Sequence, residues 1–344
     1  MWKIENKKND EFLLEFEKLV IRPIFKIILD LKRLELESEK PLNINEEQLW
    51  KYTNTYKDQS LEVQKLISNL MKKKVSKIVL FDLVAKIVQE EGLLDLLKLY
   101  RLYINQNNKV HQKCYSLEIK NIPETFKILF NQFYYTAFFD NVDIWALIGK
   151  GEFTRKTFHE NFKKENKIMV CPYCDIDTTI SISNNSVEHF LPKSKFPFLS
   201  MNAMNLIPSC TACNKSYEGK GETTLSPITM PYNEQIGDSI EFKIDYLNGR
   251  ITLNSDKNIN ILNYVKLLKL KERYSQLNVY IAVDSKMESL YSTLSQSPQL
   301  IGKRMYEYIE LQKNSGLTFI VKNNIYEYLR YRKYLNTQKK NYKK

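Results

Sequence analysis

Through the first 150 residues, apolar positions recur at the three- and four-residue spacing of helices, and residues that break helices are scarce. Residues 1–148 hold one glycine, Gly92, and three prolines. The stretch DEFLLEFEKLVIRPIFKIILDLKRLELE is apolar on nearly all sides at its middle, which predicts a buried helix kinked at Pro23. Amphipathic helices are predicted around Leu61–Met71, Ile78–Tyr103 and Pro123–Leu147. The pattern then changes: residues 171–231 carry six prolines and two glycines, with Cys, His and Asn crowded between them. Beyond them Ile240, Phe242, Ile244 and Tyr246 alternate as in a strand. Asn248-Gly249 signals a type I′ turn into a second strand carrying Ile251 and Leu253. Helical spacing returns from about Asn260. The expected architecture is mainly α with a central small α+β insert, a β-hairpin and C-terminal helices. The expected domains are a helical region at 1–150, a central unit at 151–255 and a helical region at 256–344.

Composition is that of an ordinary globular chain, with 43% hydrophobic and 27% charged residues. No apolar run approaches the ~18 residues of a membrane span. The charged start MWKIENKKNDEF lacks the apolar stretch of a signal peptide, so the expected location is the cytoplasm, with no membrane partner. Net charge is +12, and residues 301–344 carry eleven Lys and Arg against three Glu. There Tyr326, Tyr328, Tyr331, Tyr334 and Tyr342 are interleaved with the cations, a composition suited to phosphate neutralisation and base stacking. A solvated helix running into a basic tail has the same composition.

Four of the five cysteines form two Cys-x-x-Cys pairs, Cys171/Cys174 and Cys210/Cys213, with 35 residues between them. Structural disulfides are not expected in a cytoplasmic chain, whereas four converging thiolates suit tetrahedral zinc. The fifth, Cys114, lies near His111 in KVHQKCY without further ligand types nearby and reads as a buried thiol. His159 in RKTFHENF reads as a helix-surface residue. Between the cysteine pairs, TTISIS (178–183) reads as a strand, NNS as a turn and VEHFLP as a second strand. FPFLSMNAMNLIPS crosses back to a helix that starts near Ser209 and stops at Gly219 or Gly221.

Glu188-His189, Asn205 in NAMNLIPSC and Asn214 in CTACNKSYEGKG, flanked by the two cysteine pairs, resemble the signature of HNH endonucleases, the ββα-metal fold, in its zinc-bound four-Cys branch. The likeness covers roughly residues 168–225. It implies a divalent-metal-dependent nuclease hydrolysing DNA. In that reading, Glu188 and Asn214 bind one catalytic Mg²⁺ or Mn²⁺ through hard oxygen donors, and Asn205 holds the backbone around His189. His189 is the side chain nearby whose ordinary pKa suits a general base. Lys193, Lys195, Lys215 and Lys220 are candidate nucleic-acid contacts. Glu stands where the family more often has Asp, and Asn where it often has a final His. More distantly, EHFLPKS, LSPITMPYNE and LLKLKERY resemble bacterial anti-phage HNH proteins of the Septu and retron-associated type. That likeness implies a defence role beside an ATPase or sensor partner.

Two other readings use the same residues. A non-catalytic zinc-stabilised module that binds nucleic acid or a partner would need the cysteines and the basic tail but not Glu188, His189 and Asn214 together. An RNA-cleaving toxin nuclease would use the same site on a different substrate.

Overall fold

The computed structural model describes all residues except 39–47, 180–184, 216, 218, 256–257, 296–302, 304–306, 308–314 and 342–344. Two compact units divide the chain, and neither is one continuous stretch. One comprises residues 6–165 and 187–207, the other residues 1–5, 166–186 and 208–344. The residues read from sequence as one central unit, 151–255, are shared between them.

The first unit is helical. Lys7–Phe16 and Arg22–Glu37 are joined without a break by a π-helical turn, Glu17–Ile21. Pro23 lies just after this turn inside the continuous helical run, where its ring and missing N–H break the regular hydrogen-bond ladder, so the π-helical turn marks the irregularity expected at the proline. Leu61–Met71 is a helix with the predicted bounds, its N-terminus capped by the Ser60 hydroxyl. The next predicted helix is two, Leu80–Glu90 and Leu93–His111, interrupted at Gly92. Glu124–Lys127 leads into a π-helical run, Ile128–Phe138, followed by Val142–Leu147 and Arg155–Asn166. Their apolar faces form one core, and into it the returning segment inserts Val187, Phe198, Met201, Ala203 and Leu206. Phe198 stands 4.9 Å from the ring of Phe130 and 5.9 Å from that of Tyr103.

Two expectations are corrected here. His159 is buried, 2% exposed, not on the helix surface. Burial, with Lys163 as a second cause, lowers its pKa from 6.5 to about 4. Cys114 is exposed, because the chain leaves helix Leu93–His111 three residues earlier and runs over the surface.

The second unit contains the cysteines. A hairpin of Glu241–Asp245 and Arg250–Asn254 pairs Asp245 with Arg250, burying Phe242, Ile244, Ile251 and Leu253 on one face. Its connection has four residues, not a two-residue type I′ turn. The Asp245 carboxylate accepts the amides of Leu247 and Asn248 and the Asn248 side chain, and only Gly249 (φ +61°) takes the left-handed conformation. Helices Ile259–Leu267, Leu270–Tyr274, Leu277–Ser295 and Thr318–Asn341 belong to the same unit. No helix among the described residues is long and apolar enough to cross a membrane.

Asn185–His189 and Leu206–Cys210 form a two-stranded sheet, followed by a single helical turn, Thr211–Asn214. Only the end of the segment expected to cross back, Leu206–Cys210, is therefore a strand, and the expected longer helix is one turn. The strand expected at 178–183 lies mostly outside the described residues. Thr178, at its start, bridges to Val170.

Candidate functional site

The four cysteines converge. Cys171, Cys174, Cys210 and Cys213 are buried and their sulfurs all lie within 4.8 Å of one another. The Cys171–Cys213 and Cys174–Cys210 separations are each 3.8 Å. Four thiolates about 2.3 Å from one tetrahedral zinc ion stand about 3.8 Å apart, so the donor set and its spacing fit such an ion. Two backbone amides point at the sulfurs, Cys210 N to Cys171 and Ile176 N to Cys174, each at 3.4 Å. Asp175 takes a left-handed conformation to turn the first pair (φ +57°). Behind the second pair a side chain at Gly219 would meet the Cys213 carbonyl oxygen at 2.2 Å, so only glycine lets the chain cross there.

Arg273, from helix Leu270–Tyr274, enters this cluster and is itself buried. Its Nη1 lies 2.8 Å from Cys213 Sγ, and its Nη2 lies 3.6 Å from Cys174 Sγ and 2.7 Å from Asp177 Oδ2. Burial alone would lower the Arg273 pKa, but Cys174, Cys213, Cys210 and Asp177 outweigh it and hold the guanidinium charged. Tyr274 and Tyr264 donate their hydroxyls to the carbonyls of Cys174 and Tyr173, at 2.8 and 2.7 Å. Neither Arg273 nor Asp177 was read as functional from sequence. The signal lay in LLKLKERY, whose Arg has no local partner and gains its meaning only across some sixty residues.

In the helical unit, His189 ends its strand and is buried, 5% exposed. Its Nε2 is 3.0 Å from the carbonyl oxygen of Ser200, which can only accept. The Nε2–H tautomer follows, with the ring lone pair on Nδ1. The ring meets Tyr135 edge-on, with centroids 4.4 Å apart. Tyr135 donates its hydroxyl to Val187 O at 2.9 Å, the residue before Glu188-His189. Lys193 Nζ lies 4.5 Å and the Arg155 guanidinium 4.6 Å from the centre of the Tyr135 ring. Burial pushes the Tyr135 phenol up, Arg155 pulls it down, and the charge of Glu188 pushes it up again. An imidazole, an ammonium and a guanidinium are thus gathered around one ring.

Asn205 is fully buried. Its Oδ1 accepts the Leu191 amide at 2.8 Å, and its Nδ2 donates to the carbonyls of Leu191 and Leu199 at 3.0 and 3.2 Å. It therefore ties both ends of the loop that follows His189. The same loop is fastened to the helices: Asn131 donates to Lys193 O, Asn107 to Phe198 O, and the Ser200 hydroxyl to Phe130 O.

The structure brings Glu188, His189, Asn205 and Lys193 into one unit, with Lys195 half-buried on the same loop. Asn214, Lys215 and Lys220 belong with the cysteines in the other. Lys215 is exposed, whereas Lys220 is buried and its ammonium donates to Gly221 O at 2.9 Å. Of the tyrosines read as base-stacking candidates, Tyr326 and Tyr334 are exposed. Tyr328 is buried with its hydroxyl on Glu288, Tyr331 stacks on Tyr246 at 4.7 Å, and Tyr342 lies outside the described residues. Tyr135, Arg155 and Ser200, which contact or flank His189, carry no sequence signal, since each sits in an ordinary helical or loop context.

No family model matches the chain, and no solved structure matches it. Among curated proteins, it is similar to Septu protein PtuB of Bacillus thuringiensis, with 31% identity over 100 residues. That stretch is 29% of this chain and 38% of PtuB, so the chain spans well under half the length of the curated relative it matches.

Proposed function

We propose that the chain is an HNH-type endonuclease that hydrolyses phosphodiester bonds of DNA, acting in anti-phage defence. The observation that carries this reading is the gathering of His189, Lys193 and Arg155 around Tyr135, with Glu188 next to His189 on the same strand. With its Nε2 proton held by the Ser200 carbonyl, His189 presents Nδ1 as the atom that takes a proton from the attacking water. Glu188 offers the carboxylate for a divalent cation such as Mg²⁺ or Mn²⁺, which when bound would stabilise charge on the departing 3′ oxygen. Lys193 supplies a cation for the phosphate, and Asn205 keeps the loop after His189 closed. The Cys171, Cys174, Cys210 and Cys213 cluster holds structural zinc.

DNA as substrate rests on the resemblance to HNH enzymes. The surplus of cations, +12 overall, and the exposed Tyr326 and Tyr334 suit either nucleic acid. The defence role rests on the partial similarity to Septu protein PtuB, and an ATPase or sensor partner belongs to the same reading. The test is nicking of supercoiled plasmid with Mg²⁺ or Mn²⁺ by wild type and His189→Ala, alongside single-stranded DNA and structured RNA. The variant should lose cleavage while keeping its zinc. RNA cleavage alone would move the substrate class. No cleavage of any nucleic acid with any divalent ion would leave a binding module.

A further inference from the structure

Tyr135 is held at more points than a packing residue requires. The Arg155 Nη2 donates to its carbonyl at 2.6 Å, and the same guanidinium lies over its ring. Arg155 is in turn paired with Asp140, whose Oδ1 also accepts the Arg155 amide at 2.7 Å. The hydroxyl of Tyr135 bonds Val187 O, one residue before Glu188, so it fixes the strand that carries the acid and the imidazole. The ring abuts His189, and the Lys193 ammonium rests over it. The backbone carbonyl, the hydroxyl and the ring of one residue are thus each engaged.

We infer that Tyr135 is a positioning residue for His189 and Lys193, fastened by the Arg155–Asp140 pair and resting, as a role, on the endonuclease reading above. A Tyr suits this place because its ring is rigid, attracts cations to its face and carries a polar tip that can bond a strand carbonyl. Leucine would fill much of the volume but hold neither the imidazole nor the ammonium in one orientation. A misplacement of about 1 Å at a reacting group costs on the order of 10²-fold in rate.

The experiment compares Tyr135→Leu, Tyr135→Phe and Arg155→Met with wild type by plasmid-nicking kinetics and by NMR of the histidine ring protons. The chain has only three histidines, so the His189 signals are assigned by His189→Ala. The Tyr135 ring displaces the His189 ring protons through its ring current. Tyr135→Leu should abolish that displacement and lower kcat by about 10²-fold with KM for DNA changed only a few-fold. Tyr135→Phe, which keeps the ring, should retain the displacement and lose less than about tenfold. Arg155→Met should shift the His189 signals in the direction of Tyr135→Leu, which preserves the test if the leucine variant does not fold. Unchanged His189 signals in both Tyr135→Leu and Arg155→Met would overturn the inference, as would a Tyr135→Leu enzyme as fast as wild type. If wild type cuts nothing, the endonuclease reading falls, while the imidazole signals still decide whether Tyr135 orients His189.

Discussion

Replacing Arg273 with methionine removes a buried positive charge from a cluster of four sulfurs while keeping much of the side chain's volume. The guanidinium lies 2.8 Å from Cys213 Sγ and 3.6 Å from Cys174 Sγ, with Asp177 2.7 Å away on its other flank. Four thiolates around a divalent ion leave a net charge of about −2, and Arg273 offsets part of it. A unit charge pair about 4 Å apart is worth about 4 kcal/mol at an effective dielectric of about 20. Desolvating the guanidinium takes back a large share of that. What remains is about 1.4–2.7 kcal/mol, or 10–100-fold in affinity, the usual range for partners that support metal ligands. Arg273→Met should therefore bind zinc about 10–100-fold more weakly in competition with a chromophoric chelator, and release it faster. Added salt should change the difference little, because the pair is buried. Arg273→Lys should fall between the two, since a point ammonium cannot reach the sulfurs and Asp177 together. A folded Arg273→Met protein with zinc affinity within twofold of wild type would refute this reasoning.

Other outcomes follow from single side chains. Asn205→Ala leaves the Leu191 amide and the Leu191 and Leu199 carbonyls without their buried partner and should cost about 3–5 kcal/mol in urea unfolding. A loss below about 0.5 kcal/mol would show that the loop does not depend on it. Asn205→Asp should not rescue, because its carboxylate would face two carbonyl oxygens. For His159, the folded pKa of about 4 lies below the usual 6.5, so the unfolded chain binds the proton more readily. Its contribution is fully present above pH 6.5 and lost as pH falls toward 4, reaching about 2 kcal/mol at pH 5. Unfolding free energies from pH 7 to pH 4.5 should fall more steeply for wild type than for His159→Leu, and identical slopes would exclude His159 as the cause.

The cysteine cluster was legible because two Cys-x-x-Cys pairs carry their spacing within a few residues, and a shared ion uses all four thiols at once. The sheet hairpin was legible from the alternation of Phe242 and Ile244 with polar neighbours. Its turn was misread because Asp245, bonding forward to Leu247 and Asn248, outcompetes the Asn-Gly signal. His159 and Cys114 were misread for a common reason, since burial of a single polar residue depends on which helix packs over it. The interlacing of residues 187–207 with the helices was invisible. That pairing joins Asn107 to Phe198 and Asn131 to Lys193, partners separated by 91 and 62 positions. Local periodicity carries no trace of such distances.

The way residues 187–207 are seated has a practical consequence for anyone trimming the chain. The imidazole-bearing loop is not portable: Phe198 needs the ring cage of Phe130 and Tyr103, and Lys193 and Ser200 are tethered to the helix that supplies Tyr135. A fragment spanning only residues 168–225 would carry every signature residue yet lack the walls that shape their loop. Grafting that fragment elsewhere should yield a metal-binding peptide with a wandering histidine, and the helices before it are best regarded as its mould.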